Sequence, residues 1–258
     1  MNPLVRSAIL ALGLFLALIA AQFIGRWLGG RRLARLGKED SAGPGAVQGA
    51  VFALLGLLIA FTFTGAASRF DHRRDLIVQQ VNAISTAWMR LDLLPTADRA
   101  AVQDGLRAYV DGLGQAVKLT KEPQRFQEAI GRLRTLEKEI WDRTVEAANR
   151  DGRPQVASLV LPPLNESFDL STSRLAAGRI HVHTGIIALL VGLAVLAGLL
   201  AGHGQATTKR VDLLHMLIFA ALLSLTLYFI MDFEYPRLGM ITIDTSDQLF
   251  AELRASMD

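Results

Sequence analysis

Four stretches of the chain carry no charged side chain over the length of a membrane crossing: residues 7–25, 45–68, 184–202 and 213–231. A hydrocarbon core about 30 Å thick is crossed by about 20 apolar helical residues, so each stretch reads as a transmembrane span. After the second stretch the pattern changes but does not stop. Beyond Arg69 the apolar residues Ile77, Val81, Ile84, Trp88 and Leu91 recur four and three apart, the stripe of a helix that packs on protein instead of lipid. Neither Gly nor Pro interrupts the chain after Gly65 until Pro95. The second span is therefore expected to continue into water as a stalk, on the order of 70 Å long in all at 1.5 Å per residue.

Helical signals fill the region between spans two and three. Thr96, Ala97, Asp98 and Arg99 after Pro95 read as a helix start, and Val102, Leu106, Tyr109, Leu113 and Val117 form one face before Lys121, Glu122 and Pro123 break it. A further helix places Phe126, Ile130, Leu133, Ile140 and Thr144 on its own face and ends at the turn of Asp151, Gly152, Arg153 and Pro154. Two successive prolines, Pro162 and Pro163, are not expected to sit together inside one regular helix and so should bend the chain. From Asn165 a polar helix is expected to run through Arg174 and Arg179 into span three. No alternating strand pattern and no internal repeat is visible. The fold class is thus all-α, a membrane protein with four transmembrane helices and a helical soluble stalk between spans two and three. The expected segments are a first hairpin (1–68), a helical soluble domain (69–180), a second hairpin (181–232) and a tail (233–258).

Composition agrees with this division. Mean hydropathy is +0.33, yet charged residues make up 20%, too many for a chain wholly inside lipid. The first apolar stretch is longer than a secretory signal core and continues past the small residues near Ala20, so it reads as an anchor. With no cysteine, disulfides, thiolate metal sites and cysteine nucleophiles are excluded. The pI of 9.5 reflects Arg and Lys beside the spans, where they set topology or meet anionic lipid. They do not decide orientation. Arg26, Arg31, Arg32, Arg35, Lys38, Lys209 and Arg210 on one side balance Arg6, Arg69, Arg73, Arg74, Arg174, Arg179 and Arg237 on the other.

No catalytic constellation stands out, and no metal, cofactor or nucleic acid is expected. His181 and His183 lie two apart, so on a helix they point to nearly opposite sides and could share an ion only if the segment were extended. His215 lies one turn inside span four beside Asp212, close enough to the end to reach water. The cluster Arg69, His72, Arg73 and Arg74, with Asp71 and Asp75, reads plainly as headgroup anchoring with local ion pairs. Its sharper reading is an electropositive ring at a pore vestibule. In span two Ala53, Leu57, Phe61, Gly65 and Ser68 recur at helical spacing, a face that suits helix packing or a hydrophobic constriction. After span four, Pro236 and Gly239 make a turn. Asp232 and Glu234 there offer oxygen ligands, too few for a cation site, so capping and ion pairing are expected.

The segments LLGLLIAFTFTGAASRFDHRR, VNAISTAWMRLDLLP and DFEYPRLGMITID together resemble the bacterial bestrophin-like domain family. Leu55-Gly56, Phe61, Arg69-Phe70, Arg73 and Asn82 resemble the second span of the bestrophin anion channels, and Glu234, Pro236 and Gly239 their segment after span four. The resemblance implies a pentamer in the bacterial inner membrane, with the soluble helices and both termini in the cytosol. It also implies an axial pore lined by span two, with Ala53, Leu57 and Phe61 at the neck and Gly65, Ser68, Arg69, Arg73 and Arg74 at the exit and vestibule. Asp232, Glu234, Pro236, Arg237 and Gly239 would form the motif after span four. The acidic run of the animal calcium clasp is not matched, so calcium gating is not carried over.

The function expected is that of an oligomeric channel or channel-like protein, not an enzyme, that passes small inorganic ions, chloride among them, with membrane lipid and further copies of itself as partners. The alternative from another class is a membrane-anchored interaction or sensory scaffold whose spans only anchor the stalk.

Overall fold

A computed structural model describes residues 3–36, 45–208, 211–236 and 240–258. Lys38, Lys209, Arg210, Arg237 and Gly239 lie outside the described residues. Among the described residues eight α-helices follow in order: α1 (Pro3–Leu36), α2 (Gly45–Arg90), α3 (Thr96–Lys118), α4 (Pro123–Asp151), α5 (Pro154–Ala177), α6 (Thr184–Gly204), α7 (Leu213–Glu234) and α8 (Asp244–Ala255). No strand occurs among the described residues. Four of the helices, α1, α2, α6 and α7, are long and apolar enough to cross a membrane. The protein is an all-α membrane protein.

The chain divides into two compact units, residues 1–70 with 181–241, and residues 71–180 with 242–258. The stretch set apart in the sequence as a tail is shared between them: residues 233–241 belong to the first, α8 to the second. Helix α2 contributes to both.

In the first unit α1 packs on α6 and α7 around a small-residue core that includes Leu18, Ala194, Ala197, Ala220 and Ile230. The backbones of α1 and α6 nearly touch. A Cβ at Gly25 would lie 1.9 Å from the Leu199 carbonyl oxygen, and one at Gly202 would lie 1.9 Å from that of Gln22. Glycine is required at both positions. Gln22 is fully buried and donates from Nε2 to the Met216 carbonyl at 3.0 Å, while Ser224 Oγ donates to the Ala11 carbonyl at 2.6 Å. Lipid supplies no hydrophobic drive between helices, so close van der Waals approach and interhelical hydrogen bonds hold them.

In the second unit the expected stripe is inward: Ile77, Ile84 and Leu91 are buried. Val102, Leu106, Tyr109 and Leu113 of α3 are buried as well, as are Leu133, Ile140 and Thr144 of α4. Gly152, at φ 71°, caps α4 in the left-handed region that glycine enters at little cost.

Two expectations about α5 fail. The prolines do not end a helix, because α5 runs from Pro154 to Ala177 with Pro162 and Pro163 inside it. A proline at 163 cannot donate to the carbonyl four residues earlier. That carbonyl, of Leu159, instead accepts from Arg90 Nη1 at 2.8 Å, and Pro163 itself is buried. Conversely, span three does not extend into the soluble helices, since residues 178–183 separate α5 from α6. The Arg73 guanidinium donates to the Ala177 carbonyl at 3.2 Å and the Ile180 carbonyl at 2.7 Å, capturing the last carbonyl of α5 and one in the segment that follows it. The His183 ring caps α6 by accepting from the Gly185 N–H at 3.1 Å.

Candidate functional site

Helix α2 carries most of the residues singled out in the sequence, and its sides differ. Leu55 and Ala66 are buried in the first unit, and Thr62 turns its hydroxyl back onto the Leu58 carbonyl at 2.7 Å. On the opposite side Ala53, Leu57 and Phe61 are exposed in the protomer. Phe61, at 67%, is more exposed than Phe23 at 45% or Phe63 at 40%. Ser68 is exposed one turn beyond Thr64, and Gly65 is half-buried.

The charged residues at the end of the span fall into separate environments. Arg69 donates from Nε to Glu234 Oε1 at 2.8 Å and pairs with the same carboxylate through Nη2. That guanidinium passes beside Gly65, where a Cβ would lie 3.4 Å from Arg69 Nη1. Glu234 is 1% exposed. Its other oxygen accepts from the Val182 N–H at 3.1 Å and lies 3.5 Å from His181 Nδ1. His181 stacks on Tyr235 with ring centres 4.5 Å apart. One buried carboxylate thus ties α2, the segment before α6 and the end of α7. Phe233 reinforces the junction with edge-to-face contacts to Phe63 and Phe70 at 5.5 and 5.4 Å.

Asp232 is a clasp of another kind. Both its oxygens accept from the Met240 N–H at 3.0 Å, and Oδ2 also accepts from the Ile241 N–H at 2.7 Å, which draws Met240 and Ile241 onto the end of α7. The acidic residues after span four therefore pair and cap. His181 and His183 do lie in a non-helical segment, but one ring faces Glu234 and the other caps α6. At the start of α7, Asp212 accepts from the His215 N–H at 3.2 Å, and its other oxygen lies 2.6 Å from His215 Nδ1.

In the second unit Arg73 is buried against the Ala177 and Ile180 carbonyls. Arg74 is half-exposed, with Nη1 3.7 Å from Asp71 Oδ1. Asp71, His72 and Asp75 are exposed. Arg69 and Arg73 make their contacts within the protomer, while Ser68 and Arg74 remain outward.

Sequence reasoning missed the partnership of Glu234 with Arg69, which links positions 165 apart and leaves no local pattern. It also missed the α1–α6 contact, although the spacing of Gly25 with Gly29 and of Gly198 with Gly202 is the small-xxx-small signal for such a crossing.

The family model described as the bestrophin-like domain matches residues 15–247. Among solved structures, a crystal structure of a point mutant of a bacterial bestrophin homolog from Klebsiella pneumoniae shares the fold, with a TM-score of 0.72 and 12% identity over 94% of this chain and 98% of that one. No curated protein matches the chain.

Proposed function

We propose, from the premise that the chain belongs to the bestrophin-like domain family, that it is an oligomeric channel passing small inorganic ions along an axis lined by α2. The observation that carries this reading is the outward face of α2. A 67% exposed phenylalanine, with Leu57 a turn before it, lies on the side of α2 opposite the buried Leu55, Thr62 and Ala66, and polar residues follow at Ser68 and beyond. Several copies around one axis would turn Ala53, Leu57 and Phe61 into a narrow apolar neck, which gates by dewetting. The family resemblance favours five copies, a bacterial inner membrane and a cytosolic soluble unit.

Passive conduction of this kind breaks no bond. Its work is done by pore width and by charge on the lining. Chloride and other small anions are the permeant class that the resemblance implies, and the pore reading stands whichever sign passes. The bonds of Glu234 to Arg69 have a supporting role here, since they fix the end of α7 against α2 just where the helix leaves its apolar stretch.

The test is ion flux through the purified full chain reconstituted in liposomes, with Phe61→Ala alongside. Flux is expected from the native chain, and the smaller side chain should raise it by widening the neck. Equal flux in the two would remove Phe61 from the neck. Tight liposomes holding folded, oligomeric protein would overturn the channel reading.

A further inference from the structure

At 3.6 residues per turn, Ile24, Trp27, Leu28, Arg31 and Arg35 share an arc of about 100° at the end of α1, opposite Gln22 and Gly29. All five are exposed. The other side of the same turns is held tightly. A Cβ at Gly29 would lie 2.6 Å from the Ala206 Cβ, and Arg26 donates to the Gln205 and Thr208 carbonyls, each at 2.8 Å. Arg26 is therefore committed to the turn after α6, whereas Arg31 lies face-on over Trp27, its guanidinium carbon 3.6 Å from the ring centre.

The order of side chains along α1 is that of a membrane boundary. A crossing of about 20 residues counted from Ala8 ends at Trp27, and tryptophan favours the headgroup level. Arg31 and Arg35 follow about 6 and 12 Å farther along the axis, at the depth of lipid phosphates and beyond. Helix α1 contains no acidic residue, and residues 26–40 hold five basic side chains against two acidic ones.

We infer that Trp27, Arg31 and Arg35 form a binding site for the headgroup phosphate of an anionic phospholipid. Stacking fixes the Arg31 guanidinium and leaves the N–H donors around its rim to take two phosphate oxygens at once. Arg35, one turn on, adds a second charge. The occupant is a lipid and not a soluble phosphate because Ile24 and Leu28 continue the same arc into the apolar stretch, where acyl chains lie. Arg32, about a quarter turn from Arg31, adds to the field without a ring beneath it. The site lies on α1 and stands independently of the pore reading of α2.

Trp88 and Trp141, the other two tryptophans, belong to the soluble unit, so Trp27 alone reports from the membrane unit. The experiment is fluorescence quenching of the full-length protein in phosphatidylcholine vesicles that carry a dilute lipid brominated in its acyl chains, with the Trp27→Phe signal subtracted. Brominated phosphatidylglycerol is expected to quench Trp27 several-fold more than brominated phosphatidylcholine at the same mole fraction. Arg31→Gln combined with Arg35→Gln should abolish that preference. Arg31→Lys, which keeps the charge but not the planar fork, should lose most of it, and a full native preference in this variant would replace the site by diffuse attraction. Equal quenching by the two lipids in the native chain, or a preference untouched in the double variant, overturns the inference. Quenching by neither lipid would mean that a second copy of the chain covers this face, and overturns it as well.

Discussion

The two units solve the same packing problem by opposite means. In the membrane unit α1 and α6 approach until a backbone carbonyl of each sits where the other's Cβ would be, at Gly25 and Gly202. In the soluble unit α3 and α4 meet through large buried side chains, Leu106, Tyr109, Leu133 and Ile140. Water makes burial of such groups favourable by about 1.5–3 kcal/mol each, whereas lipid tails give no such return and reward only closeness and hydrogen bonds. The polar groups differ in the same sense. Gln22 and Ser224 each reach a backbone carbonyl across a helix interface. Tyr109 sits instead in a side-chain network, donating to Glu137 at 2.9 Å and accepting from Gln80 at 3.2 Å, with Arg174 joined to Gln80.

The largest expected effect breaks the membrane side of this comparison. Gly202→Leu puts atoms against the Gln22 backbone, which has no rotamer to change, so α1 and α6 must separate. The cost should be about 3 kcal/mol or more, read as a large fall in the melting temperature of the detergent-solubilised chain, with early loss of protection in α1 by hydrogen exchange. Unaltered melting would show that the crossing is not tight.

A smaller effect sharpens the soluble side. Burial raises the Glu137 carboxyl above its ordinary value, against the hydrogen bonds of Tyr109 and Ser171 and the charge of Arg134, which lower it. The native state therefore holds this proton more tightly than the unfolded chain. Its contribution to stability is full below the ordinary glutamate value and is lost as pH rises through the raised one. Glu137→Gln, which keeps an acceptor for Tyr109, should flatten that part of the stability profile and leave the neutral-pH stability undiminished. Superimposable pH profiles of α3–α5 amide protection in variant and native chain would contradict this.

What was legible in the sequence follows the same line. The soluble stripe of Ile77, Ile84 and Leu91 and the turn at Gly152 were readable because water enforces periodicity and a left-handed cap favours glycine. The four spans were readable because lipid excludes charge. Pro162 and Pro163 misled because the freed Leu159 carbonyl finds Arg90, 69 positions away in the chain. The interruption before α6 was hidden in the same manner, since Arg73 and the carbonyls it captures are about a hundred residues apart. At the candidate site the register of Ala53, Leu57 and Phe61 was legible. The pairing of Arg69 with Glu234 was not, so charges counted together in the sequence lie on different sides of one helix.

The central claim is that the outward face of α2 borders water within the membrane, and the absence of cysteine from the chain allows it to be tested one position at a time. Single variants Leu57→Cys, Phe61→Cys and Ser68→Cys on the exposed face, with Leu55→Cys and Ala66→Cys on the buried one, would be treated with a charged thiol reagent during flux recording. The account predicts modification and altered flux at the first three positions, with no change at the last two. Equal reactivity on both faces, or modification with no effect on flux, would contradict it.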